Sequence, residues 1–240
     1  MKIESHPCFI LHHRPYRETS MLLEIFSRGH GRVTLVAKGA KGGRKGWAAL
    51  LQPAQRLNLS WSIRGELGTL TDIERGEGRF GFPAQNLLAV FYINELLMRL
   101  LHKDESHSEL FDAYDQALAR LSDNITQQAT LRVFEKHLLE ALGYGMLLTH
   151  EADTGNVVNA DADYYYELEQ GPVSGEPGTG DYLRISGQTL MALDMEDFNA
   201  LENMAEAKML MRFVLQSHLG NKPLASRELY KAYLQNTGDA

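Results

Sequence analysis

A chain of 240 residues holds one large domain or two small ones, and its 44% hydrophobic content is that of a folded protein, not a disordered one. The net charge of −7 conceals opposite halves: residues 1–80 carry 13 Lys+Arg against 7 Asp+Glu, whereas residues 81–240 carry 11 against 24. A basic module joined to an acidic body points to a polyanionic ligand. The single cysteine, Cys8, excludes an internal disulfide and a cysteine-based zinc site.

The opening residues have no signal-peptide pattern, and no apolar run approaches the ~18 residues that span a bilayer, so a cytoplasmic protein without membrane segments is expected. The first 75 residues read as strands. Short apolar runs cover Pro7 to His13 and Thr19 to Phe26. Val33, Leu35 and Ala37 share one face of a third. Leu57 to Ile63 alternates strictly, and Glu66 to Glu74 gives a fifth. Turn residues separate them at Gly29 to Gly31, Gly39 to Gly46 and Arg64-Gly65. Five short strands suit a small barrel whose closure removes exposed edges; an OB-type barrel leads and an SH3-like barrel follows.

The Gly- and charge-rich stretch Arg75 to Pro83 marks the junction. Beyond it, helical spacing covers Leu87 to Leu101, Ser108 to Leu121 and Gln127 to Leu142, with a stop at Gly143-Tyr144-Gly145. Residues 150–182 form an acidic, glycine-containing stretch, expected to be a loose insertion with a short strand at Tyr164 to Tyr166. Helix returns at Leu190 to Leu193, Asp197 to His218 and Ser226 to Leu234. The expected architecture is α+β: an OB-type five-stranded barrel over 1–78, then a mainly α-helical domain over 79–240.

Chemistry concentrates in Lys38-Gly-Ala-Lys-Gly-Gly-Arg-Lys-Gly-Trp47, with four cations and four glycines in ten residues after an apolar strand. Glycine admits close approach of a ligand to the backbone, and Lys and Arg neutralise phosphates with release of counterions. Lys38, Lys41, Arg44 and Lys45, with Arg14, Arg17 and Arg32 near strand ends, are the candidate nucleic-acid contacts, and Arg28, also near a strand end, could extend the same face. Such a loop also occurs as a plain solvated connection; the charge asymmetry and the barrel favour the nucleic acid. Trp47 and Tyr16 offer flat surfaces for unpaired bases, whereas Trp61 is in register with Leu57, Leu59 and Ile63 and reads as core.

The loop is no P-loop, because Arg44 stands at the second glycine and Gly46 where Ser or Thr would bind magnesium. Asn159, Asp161 and Asp163 begin like a calcium loop, but Tyr164 replaces its turn glycine and Gln170 its glutamate. No nucleophile motif, metal site or cofactor motif is present, so no catalytic residue is assigned and a non-enzymatic protein is expected.

Five ordered segments resemble RecO, the bacterial recombination mediator family, in its gammaproteobacterial form. They are Arg14-Pro-Tyr-x-Glu-Thr-Ser20, Gly31-Arg-x-x-Leu-Val-Ala-Lys-Gly-Ala40, Tyr92-Ile-Asn-Glu-Leu-Leu97, Leu142-Gly-Tyr-Gly145 and Gly220-x-Lys-Pro-Leu-x-Ser-Arg-Glu-Leu229. The resemblance implies an N-terminal OB-fold and a helical C-terminal domain in a nucleoid-associated protein of DNA repair and recombination. It further implies binding to single- and double-stranded DNA, annealing of complementary strands, and help in loading RecA onto coated DNA. The implied partners are RecR and the acidic C-terminal tail of single-stranded-DNA-binding protein. Arg132 is the candidate for the tail's carboxylates; an intrahelical or interhelical ion pair is the competing role for it. Many members carry a four-cysteine zinc site after the Gly-Tyr segment, where this chain has Thr149-His-Glu-Ala-Asp153, so the resemblance implies zinc elsewhere in the family but not here. The alternative from another class is an adaptor whose basic barrel binds an acidic protein.

Overall fold

A computed structural model describes residues 1–42, 46–65, 67–78, 80–123, 125–176, 179–199 and 204–238. Arg44 and Lys45 of the candidate set lie outside the described residues. By compactness the chain divides into two units, residues 1–124 with 223–240, and residues 125–222.

The first unit opens with β1 (Lys2–Tyr16), β2 (Ser20–Ser27), β3 (Gly31–Ala37), β4 (Arg56–Arg64) and β5 (Leu67–Arg75). They close in the order β1-β2-β3-β5-β4, with β4 returning to β1. All neighbours are antiparallel except β3 and β5, which run parallel through Leu35 and Val36. That is the OB-type arrangement expected from the strand spacing. Alternation fills the interior: Leu23 and Ile25 of β2, and Val33, Leu35 and Ala37 of β3, meet Leu57, Leu59 and Trp61 of β4. Gly31 begins β3 where no side chain fits, since a Cβ there would stand 1.7 Å from the carbonyl oxygen of Glu105, and its φ is +62°.

The outward faces of β2 and β3 are also largely buried, because helices cover part of them. These are α1 (Ala84–Leu100) and α2 (Ser108–Ser122). Phe9 and Phe26, pointing out of the barrel, meet Phe111 with ring centroids 5.0 and 5.4 Å apart, and Tyr114 closes the group. Burying these rings contributes area and favourable edge-to-face geometry. The Asn94 amide donates to the Leu11 carbonyl at 3.0 Å and accepts from the Tyr114 hydroxyl at 2.5 Å, so the polar atoms under this cover are paired. The expected change of architecture near residue 78 marks where strand gives way to helix. Compactness follows a different line, because α1 and α2 pack on the barrel.

The last helix, α6 (Ala225–Gly238), belongs to this same unit and packs on α1. The Glu95 carboxylate accepts from the backbone N–H groups of Ala225 and Ser226 at 2.8 and 2.9 Å and from the Ser226 hydroxyl at 2.7 Å. A carboxylate here satisfies the open donors of the helix start and complements its dipole. Burial alone would raise the Glu95 pKa, but these bonds hold it below the ordinary value.

The second unit holds α3 (Gln127–Ala141), a sheet of β6 (Asp163–Glu167), β7 (Gly171–Val173) and β8 (Tyr182–Ser186) in the order β7-β6-β8, α4 (Gly187–Met195) and α5 (Ala205–Leu219). The stretch expected as a loose insertion thus supplies β6 and β7 and pairs them antiparallel. Two features order it. Tyr164 and Tyr166 alternate with Tyr165 to bury one face of β6, and the Glu151 carboxylate accepts from the hydroxyls of Thr154 and Ser174.

Candidate nucleic-acid interface

The pleat of β1, β2 and β3 decides which cations share a surface. Arg14 lies opposite Leu22, and Leu22 opposite Val36; one row further, Tyr16 lies opposite Ser20. Since the neighbouring Met21, Leu23, Leu35 and Ala37 point into the barrel, these rows point outward, and Lys38, just past the end of β3, follows them. No residue of α1 or α2 is among those that line the surface here. The surface instead forms an open depression of about 520 Å³ lined by Tyr16, Arg17, Glu18, Thr19, Ser20, Val36 and Lys38.

Its wall is fixed by the loop after β3. The Lys41 ammonium donates to the Arg17 carbonyl at 3.2 Å, and the Lys41 backbone N–H donates to the Thr19 carbonyl at 3.0 Å. The turn between β1 and β2 is held tightly enough for Arg17 to adopt a left-handed φ of 52°, a conformation unusual outside glycine. The Arg17 guanidinium carbon stands 5.3 Å from the centroid of the half-buried Tyr16 ring. Arg14, Arg17, Lys38 and Lys41 are all exposed. Among the described residues none of the four forms an ion pair with a carboxylate.

Three other arginines of the barrel are engaged by protein. Arg28 pairs with Asp112 at 2.6 Å, and Arg56 pairs with Asp115 and donates to the Glu77 carbonyl at 2.7 Å. Arg32 donates to the Met98 carbonyl at the end of α1 and lies 4.0 Å from Glu24. Arg32 shares the pleated face of Lys38 but sits six residues away along β3, roughly 20 Å at strand spacing. Of the candidate contacts the structure therefore groups Arg14, Arg17, Lys38 and Lys41 and leaves Arg32 apart, half-covered.

Two aromatic expectations divide. Trp61 is fully buried in the barrel core as its register required. Trp47, expected as a stacking surface, is only 7% exposed and packs with the same core. The correction has a local cause: Gly46, at φ 65°, starts a single 3-10 turn over Trp47–Ala49 that turns the indole into the barrel. Tyr16 remains on the surface of the depression. Glu18, Thr19 and Ser20 line it as well; the sequence marked them only as part of the segment from Arg14 to Ser20 that carries the family resemblance, not as site residues. Cys8 is fully buried, and burial pushes its thiol up to about 12, so it is chemically quiet at neutral pH.

In the second unit Arg132 lies within α3 and pairs with Glu135 at 2.5 Å, one turn along the helix; their side chains are 8% and 1% exposed. Among the described residues no three His, Cys, Asp or Glu side chains are grouped to hold a metal, and no helix is long and apolar enough to cross a membrane.

Comparison with known proteins agrees with the barrel and its helical continuation. Residues 1–78 match the profile described as recombination protein O N terminal, and residues 84–228 the one described as recombination protein O C terminal. The chain is 40% identical over 233 residues to the DNA repair protein RecO of Dechloromonas aromatica, covering 96% of each chain. It is 42% identical over 224 residues to that of Methylococcus capsulatus, covering 93% of this chain and 91% of the relative. The corresponding protein of Nitrosococcus oceani is 42% identical over 229 residues, covering 95% and 93%. An OB-type barrel with an unpaired cationic end, continued by helices and matched along nearly its whole length, places this chain in the recombination protein O family.

Proposed function

We propose that this chain serves DNA repair and recombination as a non-enzymatic mediator. In this reading it binds single- and double-stranded DNA on the open end of its barrel and promotes annealing of complementary strands. The observation that carries the reading is the set Arg14, Arg17, Lys38 and Lys41, exposed together with no carboxylate paired to any of them among the described residues. Two complementary strands repel each other. A cationic surface that engages both lowers that repulsion while base pairing begins, and no bond in either strand is made or broken. Arg44 and Lys45, outside the described residues, belong to the same proposed set of contacts.

Two protein contacts complete the reading. RecR and the acidic tail of single-stranded-DNA-binding protein are the proposed partners, and with them delivery of RecA to coated strands. For the tail, Arg132 is the proposed contact. Its guanidinium is already paired to Glu135, so an incoming carboxylate would have to share or replace that bond. The Arg132 Nε, buried without a partner among the described residues, offers the spare donor.

The test is strand annealing and equilibrium binding by the full chain across a salt series, with Lys38→Ala/Lys41→Ala beside the unaltered protein. The expected result is slower annealing, weaker binding to every sequence, and a shallower dependence of log affinity on log salt, by about 0.7 per lost contact on single strands. Equal affinity and equal slope would overturn the assignment of this face. For the tail, Arg132→Met should weaken binding of a peptide ending in acidic residues and phenylalanine while leaving DNA affinity unchanged.

A further inference from the structure

Four exposed cations explain attraction to any phosphate backbone, but not the shape of the surface between them. The depression beside Lys38 is recessed, and its lining is chemically graded. Lys38 and Arg17 supply positive charge. Tyr16, with the Arg17 guanidinium 5.3 Å from its ring centroid, supplies a flat surface. Val36 forms an apolar patch, and Thr19 and Ser20 add hydroxyls. Glu18 is the lone carboxylate in the lining, and its side chain has no hydrogen bond or ion pair among the described residues.

From this gradient we infer that the depression is a slot for one unpaired nucleotide, with its phosphate on Lys38 and Arg17, its base on Tyr16, and the base's polar edge toward Glu18. The inference rests on the DNA-binding reading and gives it a ligand subsite. A volume of about 520 Å³ falls within the range of about 300–1,000 Å³ typical of small-ligand sites and leaves no room for a base pair with both its backbones. A paired base hides its π-face in the duplex stack, so only an unpaired one can lie on an aromatic or guanidinium plane. Glu18 then orients the nucleotide. A carboxylate repels phosphate, so the phosphate goes to the cationic side. An ionised carboxylate accepts hydrogen bonds only, so it favours a base edge with an exocyclic amino group, as in cytosine, over the O4 acceptor of thymine.

The slot is also built in advance. Lys41 holds the β1–β2 turn by two bonds, to Arg17 and Thr19, and Arg17 is kept at positive φ. A wall already in place loses little freedom on binding, so less of the contact energy is spent on ordering it. In function this means that a single strand is held at one base at a time while its neighbours stay free to pair.

The experiment is fluorescence anisotropy with the full chain at fixed salt, using fifteen-nucleotide oligo-dC, oligo-dT, an abasic strand of equal length and a duplex. The unaltered protein should bind oligo-dC about fivefold tighter than oligo-dT, and both tighter than the abasic strand, as stacking and one amino contact require. Glu18→Gln, at an exposed position, should remove the difference between dC and dT, because an amide can serve either edge. Tyr16→Ala should weaken binding to base-bearing strands by more than it weakens duplex binding. Equal binding of dC, dT and abasic strands by the unaltered protein would overturn the slot. If Lys38→Ala/Lys41→Ala still weakened all of them, the electrostatic reading would survive that result. If that double variant changed nothing, the DNA face itself would be misplaced.

Discussion

The two ends of the same barrel treat their cations in opposite ways. At the end covered by α1 and α2, Arg28, Arg32 and Arg56 each bond to protein, two of them to the aspartates Asp112 and Asp115 of α2. At the open end, Arg14 and Lys38 have no side-chain partner among the described residues, and Lys41 bonds only to a carbonyl. Composition alone treats these residues as one positive charge. The fold separates them into arginines that hold a helix to the barrel and cations with no carboxylate partner among the described residues. The difference teaches that a basic domain is a functional statement only after its internal partners are subtracted.

That contrast can be broken from either side. The largest effect should come from the covered end, where Phe111→Ala removes the ring that touches Phe9 and Phe26. It should cost about 3–5 kcal/mol in chemical denaturation while leaving the salt slope of DNA binding unchanged for the molecules that remain folded. Next is the open end. Replacing Arg14, Arg17, Lys38 and Lys41 together with alanine should lower single-strand affinity by about 100-fold at low salt and flatten the slope. Stability should move within about 1 kcal/mol, since exposed side chains contribute little to it. Arg56→Ala should do the reverse, costing about 1–2 kcal/mol of stability, because its pair with Asp115 is about a third exposed, with no change in slope. A variant of Arg56 that weakened DNA binding as much as Lys38→Ala would collapse the distinction.

The smallest effect is one of pH. Burial, and then the neighbouring histidine, hold His6 and His13 below the ordinary histidine pKa of 6.5. The unfolded chain therefore takes up protons first. The stability these two residues contribute is present above that value and is lost as pH falls through their lower folded values. Melting temperature should decline slightly from pH 7.5 to 5.5, and His13→Gln should reduce the decline.

Much of the barrel was legible because its rule is local. Apolar runs and alternation between turn signals placed the five strands, alternation put Trp61 inside, and the glycine clusters marked the turns. Closure was less legible, since the parallel pairing of β3 with β5 joins segments separated by β4. The partition of the arginines was not legible at all: Arg28 and Asp112 are 84 residues apart, and no period links them. Trp47 was misread because a 3-10 turn, with no alternation to betray it, sends it inward. The acidic stretch hid a sheet because its order rests on three tyrosines and on hydroxyls around Glu151, features that composition averages away. Arg132 carried both of its roles in the sequence, since Glu135 stands at the helical spacing that an ion pair requires.

The Glu95 clasp on Ala225 and Ser226 has a consequence for how the molecule is made. It joins the chain's final helix to its first one, so the barrel-bearing unit is interrupted by the whole of residues 125–222. On the ribosome those 98 residues emerge before α6, over roughly 5–20 s at ordinary rates of synthesis. During that interval the surface of α1 that receives α6 is bare and the Glu95 carboxylate has no helix to cap. The barrel-bearing unit is thus begun before the second unit and finished after it.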